Sequence, residues 1–282
     1  MQYGDGNPQK CQPVRSLPKY VNKLVKIGFW DDEQAGDEVK MRQLWYTLLR
    51  NETTTQIVKK LYEDFFKVMT LPSDSDVLSF GHLVQLRSPC LTAYNGQRGL
   101  VLSITLSEGD IEVCPLPIRG TYVTASPQKD PCVRNTFQIL PVDPATSGDT
   151  VKTNDRFLLR TVGCGNSTPL YVEAEPTRWG DPQHPANLPV IRLTSRLTNY
   201  CWWYASQRRQ RGDPPPKEGV PIKVREDLVI RLAMNNQTLT VEKDRLYGTF
   251  FGNEYGVTIH NRNGRIDLVY PESIWEFVTG SS

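Results

Sequence analysis

Three segments of the chain begin in nearly the same way. They read SFGHLVQLRSPC from Ser79, KTNDRFLLRTVG from Lys152 and KVREDLVIRLAM from Lys223. In each, a turn-type or polar residue precedes alternating apolar positions, and an arginine follows: Gly81–Arg87, Asn154–Arg160 and Arg225–Arg231. The three starting positions lie 73 and 71 residues apart. Self-similarity at a fixed spacing is typical of repeat architectures, so the pattern predicts three like units of about 70 residues.

The same units also end alike, on an aromatic residue with alternating neighbours: Phe137 in RNTFQIL, Trp202 in YCWWYAS and Trp275 in SIWEFVTG. After Leu78, short runs in which apolar and polar residues alternate are separated by Gly, Pro, Asn and Asp. This pattern is typical of β-strands connected by turns. We therefore predict a mainly β fold over residues 78–282. Three four-stranded units around a pseudo-threefold axis indicate a β-trefoil, with the three aromatics filling equivalent places in a small closed barrel. The alternative is that loosely similar β-segments recur by chance.

The N-terminal part has a different pattern of apolar residues. Residues 1–33 show little periodicity and are predicted to form an extended arm. Residues 34–70 are predicted to be helical, as two amphipathic helices or one broken near Asn51. The first stretch has apolar residues at i, i+3, i+4, i+7 and i+8, and the second repeats the pattern after Thr53. We expect these apolar stripes to pack on the β-domain or on a partner; the first comprises Met41, Leu44, Trp45, Leu48 and Leu49.

Composition narrows the function classes. The formal charge of +2 gives no field that would attract nucleic acid or anionic lipid. No stretch approaches the roughly 20 apolar residues of a membrane helix, and the first residues, MQYGDGNPQKCQPV, hold no apolar run typical of a secretory signal. We therefore expect neither nucleic acid nor membrane as a partner. Without such a signal, the six cysteines are expected to be reduced thiols, with disulfides as the alternative.

No motif supports catalysis, a cofactor or a metal. The histidines, His82, His184 and His260, are isolated in the sequence, and the cysteines never approach CxxC spacing. The segment VGCGNST contains a GxG but lacks the third glycine and following helix of a dinucleotide site. We expect no catalytic residue, no cofactor and no metal site, and hence a protein that is not an enzyme.

An ordered set of segments resembles one known family. These are VKIGFWDDE (25–33), VRNTFQILPVD (133–143), NYCWW (199–203), GTFFGNEYGV (248–257) and IWEFVTG (274–280). They resemble the cilia- and flagella-associated protein 161 family, and the openings FGHLVQL and TNDRFLL resemble MIR-type β-trefoil modules. The resemblance implies a structural microtubule inner protein. Such a protein would bind α/β-tubulin and neighbouring inner proteins in the lumen of axonemal doublet microtubules, within the cilium or flagellum.

Two segments are candidates for partner contact. Phe29 and Trp30 precede the first predicted helix, where they would either staple the helix end or anchor a partner. Arg208, Arg209 and Arg211 form the densest basic cluster, which is either a solvated loop or a contact with an acidic protein surface.

The second functional hypothesis is a soluble β-trefoil that binds a small ligand such as a carbohydrate. Against it, the segments that follow the three strand openings differ: SPCLTAYNGQ, TVGCGNSTPL and LAMNNQTLTV.

Overall fold

The computed structural model describes residues 29–50, 53–72, 76–106, 111, 116–144, 148–163, 168–175, 190–208, 218–261 and 269–280. This part of the chain is mainly β, and its two long α-helices lie near its start. The helices are α1 (Phe29–Leu49) and α2 (Thr54–Phe65). The strands are β1 (Leu83–Thr92), β2 (Arg98–Ile104), β3 (Val123–Ser126), β4 (Phe137–Pro141), β5 (Arg156–Thr161), β6 (Tyr171–Glu175), β7 (Val190–Thr194), β8 (Trp203–Gln207), β9 (Leu228–Leu232), β10 (Thr238–Thr249), β11 (Gly252–His260) and β12 (Glu276–Val278).

Both helices begin at residues that stabilise a helix N-terminus. Helix α1 begins at Phe29, five residues before the predicted start, because the acidic run at 31–33 falls in its first turn, where carboxylates suit the helix dipole. Thr53 caps α2: its hydroxyl accepts from the Gln56 backbone amide while the Gln56 side chain accepts from the Thr53 amide. Helix α2 ends at Phe65, and Met69 beyond it donates instead to the Pro131 carbonyl at 3.0 Å.

Six of the strands pair antiparallel in a closed order. β1 pairs with β4, β4 with β5, β5 with β8 and β8 with β9. Leu228 and Trp275 then exchange two backbone hydrogen bonds of 2.8 and 2.9 Å, and β12 pairs with β1. Closure leaves these strands without a free edge on which another chain could add a strand.

The other six strands form three hairpins outside this closed set. They are β2–β3, β6–β7 and β10–β11. Strand β11 also pairs with β3 and with β7, so the hairpins contact one another as well as the strands from which they emerge. The sheet is antiparallel throughout the described residues.

Three buried residues form a ring of backbone hydrogen bonds where the chain enters β1, β5 and β9. The Leu78 amide donates to Ile222 O at 2.9 Å, the Ile222 amide to Val151 O at 2.9 Å, and the Val151 amide to Leu78 O at 2.8 Å. All three residues are fully buried. They lie 73 and 71 residues apart, the spacing of the segments that begin alike in the sequence.

The three matched turn positions share a backbone conformation. Gly81, Asn154 and Arg225 have φ of 96°, 69° and 60°, which is the left-handed region. Each donates its backbone amide to the carbonyl of the second residue after Phe137, Trp203 or Trp275, at 2.8 to 2.9 Å: Gly81 to Ile139, Asn154 to Ala205 and Arg225 to Phe277. The equal geometry follows from a turn that reverses the chain into each strand.

The closing aromatics are buried together, with one correction to the sequence prediction. Phe137 and Trp275 are fully buried, but the third member is Trp203, whereas Trp202 is only half-buried beneath the Arg156 guanidinium. Trp203 Nε1 donates to Val172 O and Trp275 Nε1 to Leu239 O, at 3.1 and 2.9 Å. Trp202 was the wrong choice because alternation in a strand puts only one of two adjacent residues inside.

Replacing the buried indoles tests this assignment. We expect Trp203→Ala and Trp275→Ala each to lower the free energy of unfolding by about 3–5 kcal/mol, since each leaves a large cavity and an unpaired carbonyl. Trp202→Ala should lower it by about 1 kcal/mol or less, the size of an exposed cation–π contact. Urea denaturation of the three variants measures the differences, and equal losses at Trp202 and Trp203 would contradict the assignment.

Candidate partner-binding surface

Helix α1 presents apolar side chains to solvent. The predicted stripe forms on the helix, but its members do not pack on the β-domain. Trp45 is 60% exposed and Leu49 74% exposed. Val39, Met41, Leu44, Tyr46 and Leu48 are exposed as well. Surface ion pairs flank them, Lys40 with Asp37 at 2.9 Å and Arg42 with Glu38 at 3.8 Å. A cluster of large apolar groups at the surface is typical of a protein contact site.

Helix α2, in contrast, is anchored to the β-domain through aromatic rings. Leu61 and Phe65 are buried. The rings of Phe65 and Phe251 lie 5.2 Å apart, and those of Tyr62 and Phe250 lie 5.3 Å apart. Phe250 and Phe251 form the turn of the long β10–β11 hairpin, so this hairpin positions α2.

A buried ion pair lies beneath these rings. Arg134 and Glu254 form a salt bridge with both side chains 1% exposed. The Arg134 guanidinium lies 4.3 Å from the centroid of the Phe251 ring, and its Nε donates to Ile104 O at 3.1 Å. The Thr124 hydroxyl donates to the second Glu254 oxygen at 2.6 Å. Because both charges are buried and hydrogen-bonded, this pair specifies how the hairpin, β2 and β3 meet.

The predicted contact residues lie in different parts of the chain. Phe29 and Trp30 begin α1, but their side chains fall outside the described residues. Arg208 is half-exposed and pairs with Asp227 at 3.2 Å, so its charge is already partly neutralised. Arg209 and Arg211 lie outside the described residues. Partner contact by these two segments therefore stays a prediction.

The described residues hold free thiols but no candidate metal site or membrane-spanning helix. They contain no cluster of three or more His, Cys, Asp or Glu side chains arranged to hold a metal ion. Within the same residues, no helix combines the length and apolarity needed to span a membrane. Cys90, Cys132 and Cys201 are free thiols, and burial raises the pKa of Cys132 and Cys201.

Sequence reasoning missed the Arg134–Glu254 pair and the aromatic anchor of α2. Arg134 and Glu254 are 120 residues apart, and no local pattern connects them. The available signal was compositional: the adjacent phenylalanines in GTFFGNEYGV interrupt strand alternation and precede a glutamate that becomes buried.

Comparison with known proteins gives a consistent result. Residues 57–280 match the family described as the cilia- and flagella-associated protein 161-like domain. A protein named cilia- and flagella-associated protein 161 from Danio rerio is 27% identical over 251 residues, covering 85% of this chain and 81% of the relative. The protein of that name from Mus musculus is 24% identical over 276 residues, covering 91% and 87%. Among solved structures, an SDF2-like protein from Arabidopsis thaliana matches with a TM-score of 0.48 and 11% identity, over 72% of this chain and 94% of that one.

Removing one ring of the anchor should release α2. We expect Phe251→Ala to expose Phe65 and to remove the cation–π contact on Arg134, so that the amides of α2 lose protection from hydrogen exchange while those of β5 and β8 keep theirs. Tyr94→Ala is the matched control because Tyr94 is an exposed aromatic in the β1–β2 turn, whereas Phe251 lies in the β10–β11 turn. Undiminished protection of α2 in Phe251→Ala would show that the rings do not anchor the helix.

Proposed function

Because the chain belongs to the cilia- and flagella-associated protein 161-like family, we propose that it is a structural, non-enzymatic protein of cilia and flagella. It binds α/β-tubulin, together with neighbouring microtubule inner proteins, on the luminal side of axonemal doublet microtubules and stabilises the lattice. Family membership supports the ciliary role, and the contact with tubulin is our proposal. The observation that carries it is the exposed apolar surface of α1.

The exposed apolar side chains of α1 would be removed from water if the helix docked on a partner protein. Trp45 and Leu49 would bury substantial apolar area on docking, at roughly 25 cal/mol per Å² removed from water. Tryptophan is also among the residues that most often dominate interface energies. Helix α1 has 21 residues, and at 1.5 Å per residue it spans about 30 Å. That length lets it cover a larger stretch of a regular lattice than a turn on the β-domain could.

The segments predicted from sequence extend this surface. Phe29 and Trp30 open α1, and residues 1–28 precede them, so an arm there would continue the contact in the same direction along the chain. Arg208, Arg209 and Arg211 form a second contact with acidic groups of the partner, since arginine pairs bidentately with carboxylates. In this assignment the β-domain is the rigid scaffold and these segments supply the contacts.

The scaffold itself is proposed to be a β-trefoil. Three observations support three equivalent units: the closed order of six strands, the ring of Leu78, Val151 and Ile222, and the shared left-handed conformation of Gly81, Asn154 and Arg225. A fold of this kind satisfies its strand edges internally. It therefore leaves attached segments, rather than its own sheet edges, to bind the partner.

The test is retention of a tagged protein in isolated axonemes from ciliated cells that lack the endogenous copy. We expect the parent protein to remain bound after washing with about 1 M salt, where the Debye length of about 3 Å screens ionic contacts and apolar contacts persist. Trp45→Ala combined with Leu49→Ala should reduce retention at high salt, as should Trp30→Ala. The triple change of Arg208, Arg209 and Arg211 to serine should reduce it most at low salt.

The control variant is Tyr94→Ala, which removes an equally exposed aromatic from the β-domain. It should be retained like the parent. A parent protein found in the soluble fraction would overturn the proposed function. Retention of every variant, with the parent bound, would instead assign the contact to the surface of the β-domain.

A further inference from the structure

A cavity of about 430 Å³ lies between the β2–β3 region and the β10–β11 hairpin. Its size is within the range of small-molecule sites. Leu106, Val123 and Val257 contribute apolar walls, and Thr105, Tyr122 and Arg245 contribute polar groups. None of the residues predicted from the sequence to contact a partner lines it, so the cavity is separate from the proposed microtubule contact.

Two buried polar atoms of the residues that line this cavity have no hydrogen-bond partner within the described part of the chain. They are Thr105 Oγ1 and Arg245 Nη1. Thr105 is only 4% exposed, so water in bulk does not satisfy its hydroxyl. An unpaired buried donor is destabilising by about 1–3 kcal/mol, more when charged, and such groups in native folds call for an explanation. A ligand that accepts from both groups would supply it.

Three other polar side chains of the wall already have partners. The Glu242 carboxylate accepts from Thr258 Oγ1 at 2.7 Å and lies 3.3 Å from His260 Nδ1. The Tyr122 hydroxyl accepts from Arg192 at 3.2 Å, and the Thr124 hydroxyl donates to Glu254. Thr105 Oγ1 and Arg245 Nη1 therefore offer hydrogen-bond donors to the cavity, and the guanidinium carries a positive charge.

The backbone is irregular at the point that places Arg245 in the wall. Strand β10 pairs Glu242 with Gly256 and Leu246 with Tyr255, and the three residues between Glu242 and Leu246 have no partner on β11. Such bulges re-aim side chains and recur beside functional sites. A regular ladder here would alternate side chains across the sheet, so the bulge determines which face Arg245 takes.

Gly256 keeps the wall open for an aromatic ring. A Cβ at this position would lie 2.9 Å from Cε2 of Tyr247, closer than real Cβ contacts allow. Gly256 therefore permits the Tyr247 ring to approach strand β11 closely, and both residues line the cavity. Glycine in a strand interior weakens pairing, and its use here is explained by this close approach.

We propose that this cavity binds a small organic carboxylate, whose charged group pairs with Arg245 and Thr105 and whose apolar body lies against Leu106, Val123 and Val257. A guanidinium and a hydroxyl supply donors for a carboxylate, and charge-assisted hydrogen bonds of this kind are the stronger class. A phosphate dianion is disfavoured relative to a carboxylate monoanion, because its larger negative charge is repelled more strongly by Glu242 in the same wall.

The probe is 4-phenylbutyrate, with its uncharged analogue 4-phenylbutanamide, titrated calorimetrically into the full-length chain. We expect one equivalent of the acid to bind. The affinity for the amide should be lower by a factor of about ten or more. Arg245→Gln should weaken binding of the acid about tenfold and leave that of the amide unchanged. Thr105→Val, which keeps the shape and removes the hydroxyl, should give a smaller loss.

Arg98→Gln is the matched control, because Arg98 is an exposed arginine on β2 that does not line the cavity. It should bind the acid like the parent. Equal affinity for acid and amide, or an unchanged affinity in Arg245→Gln, would overturn the proposal, as would no binding of the acid at about 5 mM. Stronger binding of N-acetylglucosamine than of the acid would assign the cavity to carbohydrate instead, and would also overturn it.

Discussion

Three backbone hydrogen bonds among Leu78, Val151 and Ile222 connect parts of the chain that are 73 and 71 residues apart. Each of the three residues donates to one neighbour in the ring and accepts from the other. Because all three are fully buried, none of these groups can exchange its partner for water, and each lost bond would leave a donor and an acceptor unsatisfied. The ring therefore sets the relative register of β1, β5 and β9, on which the closed order of strands depends.

Much of the β-architecture could be predicted, because its causes are local and repeated. Gly81, Asn154 and Arg225 were matched from their surroundings alone, and all three adopt the left-handed conformation. Phe137 and Trp275 were placed correctly in the interior, but Trp202 was chosen instead of Trp203. In a strand, adjacent residues point to opposite faces, and the sequence pattern did not show which of the two tryptophans points inward. The long-range pair of Arg134 and Glu254 had no sequence signal, since burial of opposite charges is decided by packing.

The helices show the limit of periodicity as a guide to burial. The stripe on α1 was recognised, and the structure leaves it exposed. The shorter α2 buries only Leu61 and Phe65 yet is anchored by the rings of Phe250 and Phe251. An amphipathic pattern indicates that a helix has an apolar face to bury. It does not show whether that face is buried by the same chain or by a partner. The sequence also contained no sign that Arg245 lines a cavity, because the bulge in β10 breaks the alternation by which side chains are assigned to the faces of a strand.

Within the described residues, most apolar side chains of the β-domain are buried, and the exposed large apolar side chains are most concentrated on α1. Our central claim is that α1 contacts tubulin in the axoneme. The most direct measurement is chemical cross-linking of intact axonemes with a lysine-reactive reagent, followed by mass spectrometry. Lys40 is an exposed lysine on α1, and Lys243 is an exposed lysine on the β-domain. The account predicts cross-links from Lys40 to tubulin that exceed those from Lys243. Cross-links to tubulin from Lys243 alone, or none from either lysine, would contradict it.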